Sequence, residues 1–182
     1  MDNTTQEFNR FSIPLKWGLI IGLVSMFITT IYGLFIMQSL GMMGMGIFGV
    51  VSFIIFMLLL LYMATEQRKA MGGYITFREA FSAIFVSILI IVSITTVYTY
   101  IYTHFIDDTY FEKVRDMSVN MAASFGGDEA REAAEAAADE QMEKQKGIGG
   151  TMIGFATSII LYSLFGFIIA AIVKRNKPEH LA

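Results

Sequence analysis

The chain has 182 residues, 55% of them hydrophobic, and its formal net charge at pH 7 is −3. It is more apolar than a typical soluble domain, and its apolar residues are massed in long runs instead of being spread along faces. The absence of cysteine excludes disulfides, thiolate nucleophiles, iron–sulfur clusters and cysteine-ligated zinc.

Four apolar runs follow one another along the chain, and none of them contains Asp, Glu, Lys, Arg or His. A helix needs about 20 residues, each rising about 1.5 Å, to cross the hydrocarbon of a bilayer. We therefore predict an all-α integral membrane protein. Its fold is a four-helix bundle that forms a single membrane domain, with spans at approximately 17–37, 42–63, 80–102 and 148–173.

The first run follows a polar stretch, 1–16, and has no small-residue cleavage site after a short apolar core. We expect it to be an uncleaved signal anchor and not a signal peptide. Ser12 and Pro14 favour a helix start at this point, because proline suits the first turn of a helix. Only residues 38–41 separate the first two runs, so these spans should form a tight antiparallel hairpin.

Two GxxxG patterns lie in the first and last runs, at Gly18 and Gly22 and at Gly150 and Gly154. In lipid, small residues let helix backbones approach closely, and van der Waals packing then holds the helices together. We predict that these four glycines mark helix-packing faces, either inside one bundle or between copies of the chain.

The third run is bounded by recognisable signals at both ends. Thr76 and Glu79 directly before it have the spacing of a capping box, in which each side chain binds the other residue's backbone N–H. Gly72 and Gly73 should break the chain just ahead of that cap. Three tyrosines close the run and predict an outer aromatic belt with hydroxyl groups toward water: Tyr98, Tyr100 and Tyr102.

Two groups of side chains are weak candidates for a metal site. The first group combines an imidazole with carboxylates at i, i+3 and i+4, which would share one face of a continuing helix: His104, Asp107 and Asp108. The second is a cluster of thioethers, which suit Cu(I): Met42, Met43 and Met45. Helix capping explains the first group and apolar packing the second, so we expect no metal and no cofactor.

The segment 107–146, between the third and fourth spans, is the only sizeable polar part of the chain. Apolar residues recur in it at spacings of three and four, which predicts an amphipathic helix: Phe111, Val114, Met117, Met121 and Phe125. Gly126 and Gly127 interrupt this pattern, and Asp128 is placed to cap a second helix rich in Ala and Glu. We expect a face for a protein partner, a mobile acidic cap being the alternative: Phe111, Val114, Met121 and Phe125.

Charge is distributed unequally between the two sides of the predicted bundle. With four crossings, both tails and the segment between spans two and three share one side, which carries a net charge of +3. The segment between spans three and four carries −6. Basic loops remain in the cytoplasm, so we expect both termini to be cytoplasmic and the amphipathic helical insert to be extracytoplasmic.

The runs offer little chemistry. They hold no ionisable residue for an ion or proton pathway, and the chain has no HExxH or GxSxG motif. The basic clusters are small and lie beside membrane helices, which argues against nucleic-acid binding. We expect a non-enzymatic structural or regulatory component that contacts the bilayer and a protein partner or a second copy. The alternative is an oligomeric small-solute channel or carrier.

Several segments together resemble a known bacterial family. A polar start leads into Lys16-Trp17-Gly18, the third span opens with Gly73-Tyr74-Ile75-Thr76-Phe77, and the Gly-rich last span closes with Lys174-Arg175-Asn176-Lys177-Pro178. Over nearly its whole length the chain is similar to the family catalogued as domain of unknown function 4199. This resemblance implies four spans in a bacterial inner membrane, and it implies no activity and no functional residues.

Overall fold

In this computed structural model the described residues are 3–36 and 41–177, without the side chains of 3–10, 35–36, 41–43 and 45. The described chain is helical almost throughout. Its α-helices are α1 (Asn3–Ile31), α2 (Gly41–Ala70), α3 (Phe77–Ile101), α4 (Tyr110–Lys146) and α5 (Ile148–Val173). A π-helical turn extends α1 over Tyr32–Ile36, and another extends α3 over Tyr102–Ile106.

Four helical stretches are long and apolar enough to cross a membrane: Phe11–Leu34, Gly46–Ala70, Phe77–Ile106 and Ile148–Val173. Large apolar side chains are exposed along all four of them. Exposing such a surface to water is unfavourable, whereas contact with lipid tails carries no such cost. The predicted all-α fold with four spans is therefore confirmed, and the chain is a multi-pass membrane protein.

The first helix is longer than the sequence predicts. It begins at Asn3 and continues through Pro14, so the expected helix start near Ser12 is wrong. Pro14 is buried, and its carbonyl oxygen accepts a hydrogen bond from the Ser87 hydroxyl of α3 at 2.9 Å. This hydrogen bond connects α1 to α3 at the position of the proline.

The third helix is the centre of the bundle and packs most extensively against α1 and α5. Its buried residues occupy more than one face: Ala80, Ala83, Ile84, Ser87, Ile88, Ile91 and Val92. The second helix makes fewer contacts, and most of its described residues between 46 and 58 are exposed. The core therefore lies around α3, and α2 is the spanning helix least enclosed by its neighbours.

Close approach of α1 to α3 depends on two glycines. A Cβ atom at Gly18 would lie 3.0 Å from the Cβ of Ile90, and one at Gly22 would lie 2.8 Å from the Cδ1 of Ile94. At Gly154, by contrast, a Cβ would meet no atom within 4 Å. The first GxxxG pattern therefore lies at a close contact between two spanning helices, whereas Gly154 of the second pattern has open space around it.

The predicted capping box is present at the start of α3. The Thr76 hydroxyl accepts from the backbone N–H of Glu79 at 3.3 Å, and the Glu79 carboxylate accepts from the backbone N–H of Thr76 at 2.9 Å. Gly72 and Gly73 form the turn that follows α2. Their φ values are positive, 80° and 88°, a conformation that residues other than glycine rarely adopt. Local signals therefore predict this connection correctly.

Backbone pairing also joins this turn to the end of α5. The N–H and C=O of Ile75 both bond to Arg175, at 2.9 and 2.8 Å. Nearby, the indole N–H of Trp17 donates to the Glu66 carboxylate at 2.6 Å. The ends of all four spanning helices are thus connected on this side of the bundle, which we call the loop end.

The predicted aromatic belt is wrong for Tyr102. This side chain is only 2% exposed, because it packs over Gly33 of α1, where a Cβ atom would lie 2.5 Å from the tyrosine oxygen. The hydroxyl of Tyr98 also faces inward and forms a hydrogen bond with Thr30. Two of the three tyrosine hydroxyls therefore contact α1 instead of pointing toward water.

We expect Gly18→Leu to lower the free energy of unfolding by about 1–3 kcal/mol, because the new side chain must displace Ile90 in a packed contact. Gly154→Leu is the matched control, since its surroundings leave room, and it should have little effect. Thermal unfolding in detergent micelles, followed by circular dichroism, measures both. Equal destabilisation by the two substitutions would contradict this account of the α1–α3 contact.

Candidate functional site

The segment between α3 and α5 forms a helical hairpin. Gly127, with φ 69° and ψ −156°, breaks α4 into two segments, 110–126 and 128–146. A positive φ of this kind favours glycine. Arg115 on the first segment pairs with Asp139 on the second, so the two segments lie side by side and run in opposite directions. The predicted break at Gly126-Gly127 is therefore where the chain reverses direction.

The inner side of the hairpin takes up part of the predicted partner face. Phe111 and Val114 line a small cavity of about 90 Å³ together with Gln141 and Met142 of the second segment. These two apolar side chains thus face the other half of the same hairpin. Both are half-buried there, because the second segment folds back over them, which the sequence pattern does not show. Their role in binding a partner stays a prediction.

One ion pair connects the two segments. Both Nε and Nη2 of Arg115 donate to Asp139, and the Nη2–Oδ2 distance is 3.3 Å. Hydrogen bonding to Arg115 lowers the pKa of the Asp139 carboxyl, and the same contact raises the pKa of the guanidinium. The pair is exposed to solvent, so its main effect is to set the register of the segments and not their stability.

The end of the hairpin remains open. Met121 and Phe125 are exposed beside the turn at Gly126-Gly127, and we call these four residues the hairpin tip. Of the four predicted partner-face residues, the structure therefore leaves two at the surface. One buried apolar residue of the first segment, Val119, lies outside the spacing pattern and was missed by sequence reasoning.

Acidic side chains are concentrated next to the tip, on the second segment. Asp128, Glu129 and Glu132 are all exposed. Arg131, also in this stretch, pairs with Glu135 one turn away at 3.0 Å. The hairpin tip therefore combines an apolar surface with an adjoining negative one.

The first segment is fixed at its base by Asp107. The Asp107 carboxylate accepts from the Lys113 ammonium at 2.9 Å and from the Thr109 hydroxyl at 2.7 Å. Burial alone would raise the pKa of Asp107, but the hydrogen bonds from Thr109 and Lys113 outweigh it, and the pKa is lowered. This carboxylate thus holds the start of α4 against the end of α3.

The second segment is fixed at its base by His104. The Nε2 atom of His104 lies 2.9 Å from the carbonyl oxygen of Lys146, and Nδ1 lies 2.9 Å from that of Tyr100. The imidazole also stacks on the Tyr100 ring, with centroids 4.2 Å apart. A carbonyl oxygen only accepts hydrogen bonds, so each of these two contacts is a hydrogen bond when the ring nitrogen that faces it carries the proton. His104 therefore links the end of α3 to the end of α4.

The structure does not assemble the first candidate metal site. The helix does not continue regularly past His104, because this residue lies within the π-helical turn Tyr102–Ile106 and Asp107 has φ −130° and ψ 86°. His104 and Asp107 instead make the contacts just described, while Asp108 is exposed. Across residues 3–36 and 41–177, no group of three or more His, Cys, Asp or Glu side chains is placed to hold a metal ion.

The remaining sequence candidates have different outcomes. The side chains of Met42, Met43 and Met45 lie outside the described residues. A Cβ atom at Gly150 would overlap the carbonyl oxygen of Lys144, so this glycine allows the tight connection from α4 to α5. Gly150 therefore lies against the hairpin and not against another spanning helix.

Comparison with known proteins places most of this architecture in one family. A family model described as protein of unknown function (DUF4199) matches residues 16–175, which include the hairpin. No curated protein and no solved structure matches the chain.

We expect Asp107→Asn to destabilise the protein by about 1 kcal/mol near neutral pH, because it removes a charged hydrogen-bond acceptor from Lys113. The folded-state pKa lies below the unfolded value of about 3.9. The stabilisation is therefore present above that value and is lost as the pH falls through the folded-state pKa. Thermal unfolding of both proteins in micelles between about pH 3 and pH 7 measures the difference. Asp108→Asn, which changes an exposed neighbour, is the control.

The difference between wild type and Asp107→Asn should shrink toward zero at the acid end of this range. A difference that stays constant with pH would contradict the role given to the Asp107 carboxylate.

Proposed function

Because the chain belongs to the DUF4199 family, which is described only as protein of unknown function, we propose a role from geometry: a non-enzymatic membrane component that engages another protein through its hairpin tip. The observation that carries this proposal is that Phe125 is 84% exposed. It lies at the end of the hairpin, where the other apolar residues are partly covered. Burying such a side chain contributes about 1.5–3 kcal/mol. A partner that covers the tip would supply that burial.

Charge indicates what kind of partner fits. The segment between spans three and four carries a net charge of −6, and acidic side chains adjoin the tip. A complementary surface has an apolar pocket for Phe125 and basic side chains around it. The chain's own surplus of basic residues lies at the loop end, across the bilayer from the tip. A second copy in the same orientation presents a hairpin that is itself net acidic, with Arg131 as the basic residue nearest the tip, so we propose a different protein as the partner.

The proposed orientation places the hairpin outside a bacterial inner membrane and both termini in the cytoplasm. The loop end and tails carry a net charge of +3, against −6 on the hairpin side, and basic segments remain in the cytoplasm. A non-enzymatic role is supported by the apolar runs, since they contain no Asp, Glu, Lys, Arg, His or Cys side chain.

Orientation is testable because the native chain has no cysteine. We expect a single cysteine introduced as Ser124→Cys, next to the tip, to react with a membrane-impermeant maleimide on intact spheroplasts. Ala70→Cys, which replaces an exposed residue at the loop end, should react only after permeabilisation. The reverse pattern of labelling would show that the bundle is inverted.

Partner binding is testable with a benzophenone maleimide attached to Ser124→Cys in native membranes. We expect a crosslinked protein whose capture falls about 30-fold or more with Phe125→Ser, because a central apolar contact typically contributes at least about 2 kcal/mol. Capture should also weaken with increasing salt, since acidic side chains adjoin the tip. The yield is measured by quantitative mass spectrometry of the crosslinked species.

Phe105→Ser is the matched control, because Phe105 is 78% exposed but lies at the base of the hairpin. Capture that depends equally on both phenylalanines, or on neither, would contradict the proposal. Crosslinks only between copies of the chain would favour self-association. Solute flux into proteoliposomes that survives Phe125→Ser would favour the alternative, an oligomeric channel or carrier.

A further inference from the structure

A cavity of about 350 Å³ lies inside the membrane-spanning part of the bundle. Residues of α1, α2, α3 and α5 line it near the middle of the spans. Its lining among the described residues includes no charged side chain, but five residues that carry a hydroxyl group line it: Ser25, Thr29, Ser52, Thr95 and Tyr162. Such a volume is at the lower end of the range for sites that bind small molecules, about 300–1,000 Å³.

Three of these hydroxyl groups lack an acceptor. Thr29 and Thr95 donate to carbonyl oxygens of their own helices, each at 2.9 Å. Ser25, Ser52 and Tyr162 donate no hydrogen bond within the described chain. In hydrocarbon an unpaired donor is costly, since no bulk water can satisfy it. Residues with unpaired hydroxyl groups on three different helices therefore line one cavity, where an acceptor would pair with them.

Flat aromatic surfaces form another part of the wall. Phe56 packs against Tyr162 with ring centroids 4.9 Å apart, and Phe53 also lines the cavity. Faces and edges of this kind favour contact with a planar ring. Val24, Phe53 and Ile55 line the cavity and are also exposed on the outside of the bundle. The cavity is thus reached from the lipid, beside the least enclosed helix, α2.

We propose that this cavity binds the head ring of an isoprenoid quinone, with the ring carbonyl oxygens accepting from Ser25, Ser52 and Tyr162. The ring is planar and uncharged, which matches the aromatic wall and the lack of charged lining residues. Its carbonyl oxygens accept hydrogen bonds and the ring has no N–H or O–H of its own. These acceptors match the hydroxyl groups of Ser25, Ser52 and Tyr162, which have no acceptor within the described chain. Its apolar tail remains in the bilayer and leaves through the side where Val24 and Ile55 are exposed. A phospholipid acyl chain would fill the space but leave the hydroxyl groups unpaired.

The test uses decylubiquinone as the probe and the full-length protein in lipid nanodiscs. We expect saturable uptake of about one quinone per chain above empty nanodiscs, quantified by chromatography after washing. Ser52→Ala combined with Tyr162→Phe removes two donors and keeps the shape of the wall, so affinity should fall about 10-fold or more. Ser93→Ala is the control, since that hydroxyl bonds to the Leu89 carbonyl at 2.7 Å and does not line the cavity.

A second variant tests the space itself. Gly49→Leu introduces a side chain where a Cβ would meet no atom within 4 Å at the cavity wall, and it should abolish uptake while leaving the protein monodisperse. No uptake above empty nanodiscs would overturn the proposal. Uptake that is unchanged in both variants would also overturn it, as would equal uptake of decylbenzene, which has no carbonyl group.

Discussion

Hydrocarbon gives the backbone no partner for its N–H and C=O groups, and this single constraint accounts for most of the structure. Each span must satisfy its own backbone, so the chain is helical even where it is rich in β-branched residues. The same constraint acts on side chains. Thr29, Ser93 and Thr95 turn their hydroxyl groups back onto carbonyl oxygens one turn earlier in the helix. Ser25 and Ser52 do not do this, and the quinone site proposed above rests on that difference.

Packing between the spans has a second physical origin. Without water there is no hydrophobic force between helices, so association depends on close van der Waals contact. Gly18 and Gly22 provide that contact for α1 and α3, and the buried Ser87 adds a hydrogen bond to the same pair. The helix α2 has no equivalent contact along most of its length. This difference explains why the cavity of about 350 Å³ described above opens beside α2.

Sequence reasoning succeeds here where the cause is local. The capping box at Thr76 and the break at Gly127 depend on residues within one or two turns, and both are in place. It fails where a distant segment decides the outcome. Tyr102 is buried because Gly33 faces it, and Phe111 is covered because the second segment of α4 folds back. The cavity was not predicted for the same reason, since its hydroxyl groups come from four separate helices.

The length of the hairpin limits how far its tip lies from the spans. The first segment, 110–126, rises about 1.5 Å per residue and is therefore about 25 Å long. Its base is fixed to the end of α3 by Asp107 and His104. Whatever the tilt of the hairpin, Phe125 therefore lies within roughly that distance of the end of α3. The partner proposed above would have to present its receiving surface inside this radius, which favours a protein that is embedded in the same membrane or held close to it.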